Sequence, residues 1–373
     1  MEKSTNLNKF VFIGVLVLLG IFIFNSFFLF DIGKSLGTKI DKAQELAKPA
    51  KIEIIKLESS CLDCFDTDEV VDTLKESGLE IINEKLLTRN SQEALELINK
   101  YSITKLPTVV LKGEIEKASA QNFKEVGDAL VFDGIVPPYE DAITKKIMGK
   151  VSSIIINDAN CDVCVDFNLA ILNLKQNGVF IANEEELDFS EARAKELIDE
   201  FGIEKLPTVL LSDDIDAYTS IAQSIEQTAA KKEGYYIVES QAPYVETESG
   251  KIRGLVTLTM LNDSACPECY DVSAHKSILA RFGIAVDKEE AIDIKSDKGK
   301  QLILKYSLIN IPTVIISGDL DVYTGFKTVW SQVGTVENDG AYIFRKIEAM
   351  GKGIVYKDIS TNEIKNMELL PQQ

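Results

Sequence analysis

Histidine and tryptophan are nearly missing from this chain: 373 residues hold one of each, His275 and Trp330. With a single imidazole, at most one site can use histidine as a base, and no histidine-rich metal cluster can be assembled. His275 lies nine residues past a cysteine on an expected helix, which makes it a partly buried helix residue rather than a catalytic or metal-binding one. A basic excess is also absent, since 40 Lys and Arg stand against 59 Asp and Glu, a net charge of −19. Residues 1–50 carry six lysines against four acids, so the remainder sums to −21. Nucleic acid is excluded as a partner, because phosphate binding needs clustered Lys and Arg. The sequence has neither a phosphate loop nor a dinucleotide fingerprint. It therefore implies no cofactor, and a flavin or nicotinamide would have to sit on another protein.

Cysteine is scarce as well, six in all, and none stands alone. The six form Cys61-Leu-Asp-Cys64, Cys161-Asp-Val-Cys164 and Cys266-Pro-Glu-Cys269. Each first cysteine precedes a proline by 46 residues (107−61, 207−161, 312−266), in Leu106-Pro107-Thr108, Leu206-Pro207-Thr208 and Ile311-Pro312-Thr313. A zinc site needs four ligands close together, usually two pairs about 12–20 residues apart. These pairs are about 100 residues apart in separate expected domains, so no metal site is expected.

Other landmarks repeat in the same register. A glycine follows each second cysteine by 14 residues (Gly78, Gly178, Gly283), and an aromatic precedes each proline by six (Tyr101, Phe201, Tyr306). Each proline-threonine opens an apolar run. Within a copy the pattern reads strand, CxxC, helix, strand, helix, proline, strand, strand, helix. In the second copy Ser153–Ile156 is a strand, Phe167, Ala170, Ile171 and Leu174 mark one helix face, and Gly178 stops that helix. Val179–Ala182 is the next strand and Glu191–Phe201 the next helix. Each cysteine pair thus falls where a strand gives way to a helix, at the helix N-terminus. Pro137-Pro138-Tyr139, Ala242-Pro243-Tyr244 and the weaker Ile354-Val355-Tyr356 trail the copies, either as a closing strand or as a stiff linker.

At the N-terminus, Phe10–Phe30 is free of charge. As a helix it would reach roughly 31 Å, the hydrocarbon thickness of a bilayer. It is expected to be an uncleaved single-span anchor, with the paired cysteines on the extracytoplasmic side where disulfides persist.

A CxxC at a helix start has a specific use. Unpaired backbone N–H groups and the helix dipole favour thiolate at the first cysteine, which attacks a disulfide, and the second cysteine resolves the mixed disulfide. These motifs resemble the thioredoxin superfamily over roughly residues 50–350, in tandem as in multi-domain protein disulfide isomerases. The resemblance implies nucleophiles at Cys61, Cys161 and Cys266, resolving cysteines at Cys64, Cys164 and Cys269, and cis-prolines at Pro107, Pro207 and Pro312. Leu106, Leu206 and Ile311, with those prolines, are then expected to bind substrate. The expected fold is α/β: three thioredoxin-like domains, each a central mixed β-sheet flanked by helices, after one transmembrane helix. The boundaries are an anchor over 1–33, a linker over 34–49, domains over 50–148, 149–251 and 252–366, and a tail over 367–373. The chain departs from thioredoxins in having Ser60, Asn160 and Ala265 before the first cysteines instead of tryptophan. At the family's buried aspartate it has Ile55, Ile155 and Met260.

Asp63, Asp162 and Glu268 put a carboxylate inside every pair, which disfavours thiolate and makes the disulfide harder to reduce. The third pair, with Pro267, is expected to exchange best. The leading expectation is a membrane-anchored thiol–disulfide oxidoreductase that forms, reduces or isomerises disulfides in exported proteins, with an upstream redox partner protein as a candidate electron source. The alternative is a non-catalytic binding or spacer ectodomain stapled by structural disulfides.

Overall fold

The computed structural model of the chain describes residues 48–367, together with Gly14, Gly20 and Phe22, which are helical. The expected membrane span otherwise lies outside the described residues. Among the described residues no helix is long and apolar enough to cross a membrane. The chain divides into two compact units, residues 1–148 and 149–373.

The first unit holds one sheet-plus-helix module. Its five-stranded sheet runs, edge to edge, Glu80–Leu87, Lys51–Leu57, Thr108–Gly113, Ala129–Phe132 and Phe123–Val126. The first two strands are parallel and the others antiparallel. Helix Asp68–Glu76 covers one face with Val71 and Leu74. Helix Gln92–Lys100 covers the other with Ala94, Leu97 and Ile98. The central strand, buried on both sides, reads Val109-Val110-Leu111 without alternation, as a doubly covered strand should.

The second unit repeats this plan twice, with central strands Thr208–Ser212 and Thr313–Gly318. All three modules resemble thioredoxin-like domains in strand order. The second helix shows why the sequences superimpose: Ala94, Leu97, Ile98 and Tyr101 recur as Ala194, Leu197, Ile198 and Phe201. In the third copy Gly299 replaces the alanine, because a Cβ there would collide with the Asp293 carbonyl.

Two expectations need correction, and one open alternative is decided. The last helix comes before the final hairpin, not after it: Thr219–Ile225 and Thr324–Val333 each precede their module's edge pair. The first copy keeps only the 3-10 turn Ile115–Lys117 there. The second strand of the second copy runs over Ile181–Asp188, through Glu184, Glu185 and Glu186. It is an edge strand, where charge is tolerated and useful, so apolar periodicity located only its start. Finally, each trailing segment is a strand. Tyr139–Asp141, Tyr244–Glu246 and Val355–Asp358 pair with the two-residue strands just before the conserved-register prolines and turn back in a hairpin. The second hairpin ends at Arg253, so the expected boundary after residue 251 falls inside it.

Candidate active site: three CxxC turns and what lies beneath them

All six cysteines are joined within their pairs, with Cα separations of 5.4, 5.5 and 5.4 Å. Each pair occupies a turn: Cys164 N–H donates to Cys161 O at 3.4 Å, and Cys269 N–H to Cys266 O at 3.1 Å. The helices begin only at Asp68, Phe167 and Ala274. The expectation that each pair caps its helix is therefore wrong, and so is a shared helix for Cys266 and His275. Residues such as Asp166, which caps its helix through Asn168 N–H at 2.8 Å, take that place. A dipole fades within the first turn, so it stabilises these thiolates less than the sequence implied.

The peptide bonds before Pro107, Pro207 and Pro312 are cis. In the second copy the proline reaches the disulfide: Pro207, Cys161 and Cys164 line one pocket, and Cys164 Sγ lies 4.0 Å from Leu206 O. Leu106, Leu206 and Ile311, the expected substrate contacts, sit on the two-residue strands just before the prolines. Their side chains are fully buried. One edge of each strand is filled, Leu106 pairing with Glu140, Leu206 with Val245 and Ile311 with Lys357, and each strand is the outermost of its three-stranded sheet. With the closing strand in place, the opposite edge is the one open to an extended peptide.

Accessibility separates the pairs. Cys61, Cys64, Cys161 and Cys164 are half-buried, and Leu62 between the first two is 98% exposed. Cys266 is only 5% exposed. The third pair, expected to exchange best, has the most covered first cysteine.

The residue facing each pre-proline residue across the closing strand forms the floor of each site, and sequence reasoning missed it. In the first copy it is Glu140, fully buried. Its Oε2 accepts from Ser59 Oγ at 2.7 Å, Ser60 N–H at 2.9 Å and Ser60 Oγ at 3.0 Å. Ser59 Oγ in turn accepts from Cys61 N–H at 3.0 Å. Arg89 Nε lies 2.6 Å from Glu140 Oε1. Burial alone would raise the Glu140 carboxyl, but these hydrogen bonds and Arg89 outweigh it and hold it below its ordinary value.

In the second copy the same two positions are Val245 and Phe189, which pack with both cysteines in one apolar cluster. In the third, Lys357 Nζ sits 2.7 Å from the buried Asp263, whose Oδ1 accepts from Ala265 N–H at 2.9 Å. Lys295 adds a second cation at 3.5 Å. Burial raises the Asp263 carboxyl, and Lys357, the Ala265 N–H and Lys295 together outweigh it, leaving it lowered. The third site also holds a buried polar chain, Tyr270 OH donating to Pro312 O at 3.0 Å with His275 Nε2 3.2 Å from that hydroxyl. Burial pushes the His275 imidazole down to about 4. Its neutral ring is thus a buried structural group. Among the described residues no cluster of His, Cys, Asp or Glu is arranged to hold a metal ion.

No family model matches the chain, and no curated protein matches it. Among solved structures the neighbours are thioredoxin-fold disulfide oxidoreductases. ERdj5 (form II) is 12% identical over 76% of this chain and 39% of its own, with a TM-score of 0.15. The chain therefore spans about two fifths of ERdj5. A protein disulfide oxidoreductase from Aeropyrum pernix is 14% identical over 49% of this chain and 93% of its own, TM-score 0.15. Zinc-bound human ERp44 is 10% identical over 77% of this chain and 90% of its own, TM-score 0.14. Identities of this order speak to fold alone, and superpositions this loose say nothing about chemistry.

Proposed function

We propose that this protein is a thiol–disulfide oxidoreductase whose CxxC dithiols form, reduce or isomerise disulfides in exported proteins. It would be held by the Phe10–Phe30 span, with its modules on the extracytoplasmic side. The observation that carries the chemistry is the Cys161–Cys164 disulfide lining an open pocket beside Pro207. A bond across two intervening residues closes too small a loop to stabilise the fold much. An accessible disulfide in that position has exchange as its natural use.

A second reading, a spacer ectodomain with inert disulfides, draws support from the covered Cys266. A glutathione redox titration with each CxxC peptide read separately by mass spectrometry decides between them. Exchange catalysts have midpoints between about −120 and −270 mV, and at least Cys161–Cys164 is expected there. Midpoints all below about −300 mV would identify structural disulfides and end the proposal.

A further inference from the structure

The pocket at the second pair has a volume of about 290 Å³ and is lined by three carboxylates, Asp158, Asp166 and Glu186, with no Lys or Arg. None of the three makes an ion pair among the described residues. Asp158 Oδ1 accepts from Asn160 N–H at 2.8 Å, and Glu186 Oε1 from Asn157 Nδ2 at 2.6 Å. A fourth carboxylate, Asp162, is exposed between the two cysteines.

The third copy shows how the same frame neutralises such charge. Asp263 occupies the position of Asp158, and two lysines hold it, Lys357 at 2.7 Å and Lys295 at 3.5 Å. The second copy has lost both: Val245 stands in place of Lys357 and Ser190 in place of Lys295. It has also gained a charge, since Glu186 occupies the register of Ala291. An apolar floor of Val245 and Phe189 beneath a ring of uncompensated carboxylates lets the field reach whatever enters.

We infer that the Cys161–Cys164 site selects thiol and disulfide substrates whose reacting sulfur is flanked by positive charge, a cysteine beside Lys or Arg in a polypeptide. This rests on the exchange reading above and names its substrate class. In the reducing direction, Cys161 thiolate attacks the substrate disulfide, forming a mixed disulfide and expelling one substrate thiolate. Cys164 thiolate then attacks Cys161 Sγ, closing the protein disulfide and expelling the second. Two electrons pass from the dithiol to the substrate, and the two dithiol protons end on the released thiols. Ammonium or guanidinium groups beside the substrate sulfur would sit against Asp158, Asp166 and Glu186 during both steps.

The test uses the full-length protein in neutral detergent, reduced with dithiothreitol and desalted. It is mixed with one of three probes: cystamine (cationic), oxidised glutathione (anionic) or hydroxyethyl disulfide (neutral). Alkylation quenching and mass spectrometry read oxidation at each pair separately. The cystamine-to-neutral rate ratio at Cys161–Cys164 is expected to exceed that at Cys266–Cys269 by roughly tenfold at low salt. Oxidised glutathione should show the opposite bias, and both should shrink as salt screens the site. In the variant carrying Asp158→Asn, Asp166→Asn and Glu186→Gln, the ratio should fall to that of the third pair. Using a ratio cancels any change in thiolate reactivity from the substitutions. Equal ratios at the two pairs, or an unchanged ratio in the variant, overturn the charge selection while leaving exchange intact. Inertness of Cys161–Cys164 toward all three probes overturns it together with the exchange reading at that pair.

Discussion

Replacing the buried ion pair beneath the first site with the residues the second site already uses should show how much of it is coupling. Glu140 is fully buried and the Arg89 side chain 9% exposed, and their nearest atoms are 2.6 Å apart. Glu140→Val alone leaves Arg89 buried with one neutral partner, the Ala142 carbonyl at 3.2 Å. An uncompensated buried charge of this kind costs about 3–5 kcal/mol. Arg89→Phe alone strands the carboxylate and should cost a similar amount. The double variant removes both charges and installs the pair that packs as Phe189 and Val245 in the second copy. What remains lost are three hydrogen bonds from Ser59 and Ser60 and the one from Arg89 to the Ala142 carbonyl, each about 1 kcal/mol. Ser60 is exposed, so water recovers part of that, and the double should fall within about 2 kcal/mol of the parent. Amide hydrogen exchange on the intact chain, read over residues 51–57 and 105–113, gives the opening free energies, with peptides of the second unit as internal control. A double variant as unstable as the two single losses added together would refute the coupling. The Glu140–Arg89 contact would then be incidental to the stability of this module.

The single histidine supplies a pH test. His275 falls to about 4 when folded against about 6.5 unfolded, so the unfolded chain binds its proton first as pH drops. Stability is therefore full above about 6.5 and lost towards pH 4, by about 2.5 × 1.36, or roughly 3 kcal/mol. His275→Gln should remove that part of the pH dependence in denaturation followed by Trp330, which is buried in the same module. Parallel curves for parent and variant would mean the imidazole is not buried neutral. A second measurement concerns access. After reduction, brief iodoacetamide treatment should label Cys61 and Cys161 before the 5% exposed Cys266, and Cys266 labelling first would contradict the covering of the third site.

The frame was legible because it repeats. The 46-residue spacing from cysteine to proline, the stop glycines and the aromatic before each proline all fall in equivalent places in three sheets. Register did the work there, since a position repeated three times needs no propensity argument. Local signals were weaker. Asn157, Asp158 and Asn160 have the residue types of both a turn and a helix cap; they form the turn that carries the cysteines, and Asp166 is the cap. The floors were missed for a different reason. Glu140, Val245 and Lys357 reach the active-site turns only through a strand that returns from beyond the sheet. Each directly follows a landmark tyrosine, Tyr139, Tyr244 or Tyr356. The signal was a position in perfect register that carries a negative, a neutral and a positive side chain in turn.

That variation sets the expected order of the three redox midpoints. At the first site the closing strand supplies a carboxylate and Arg89 neutralises it. At the third it supplies an ammonium 2.7 Å from Asp263, with Lys295 3.5 Å from the same carboxylate. At the second it supplies nothing, and the carboxylates around Cys161–Cys164 stand uncompensated. Local positive charge stabilises a thiolate and negative charge destabilises it. A more stable dithiol makes the disulfide easier to reduce. The carboxylate inside each CxxC is common to all three and drops out of the comparison. The third pair should therefore be the easiest to reduce, the first intermediate and the second the hardest, although the first cysteine of the third pair is the least accessible. Charge beneath the turn governs the equilibrium and cover above it governs the rate. A chain that varies the two independently in three copies of one frame is expected to show three distinct midpoints rather than three equal ones.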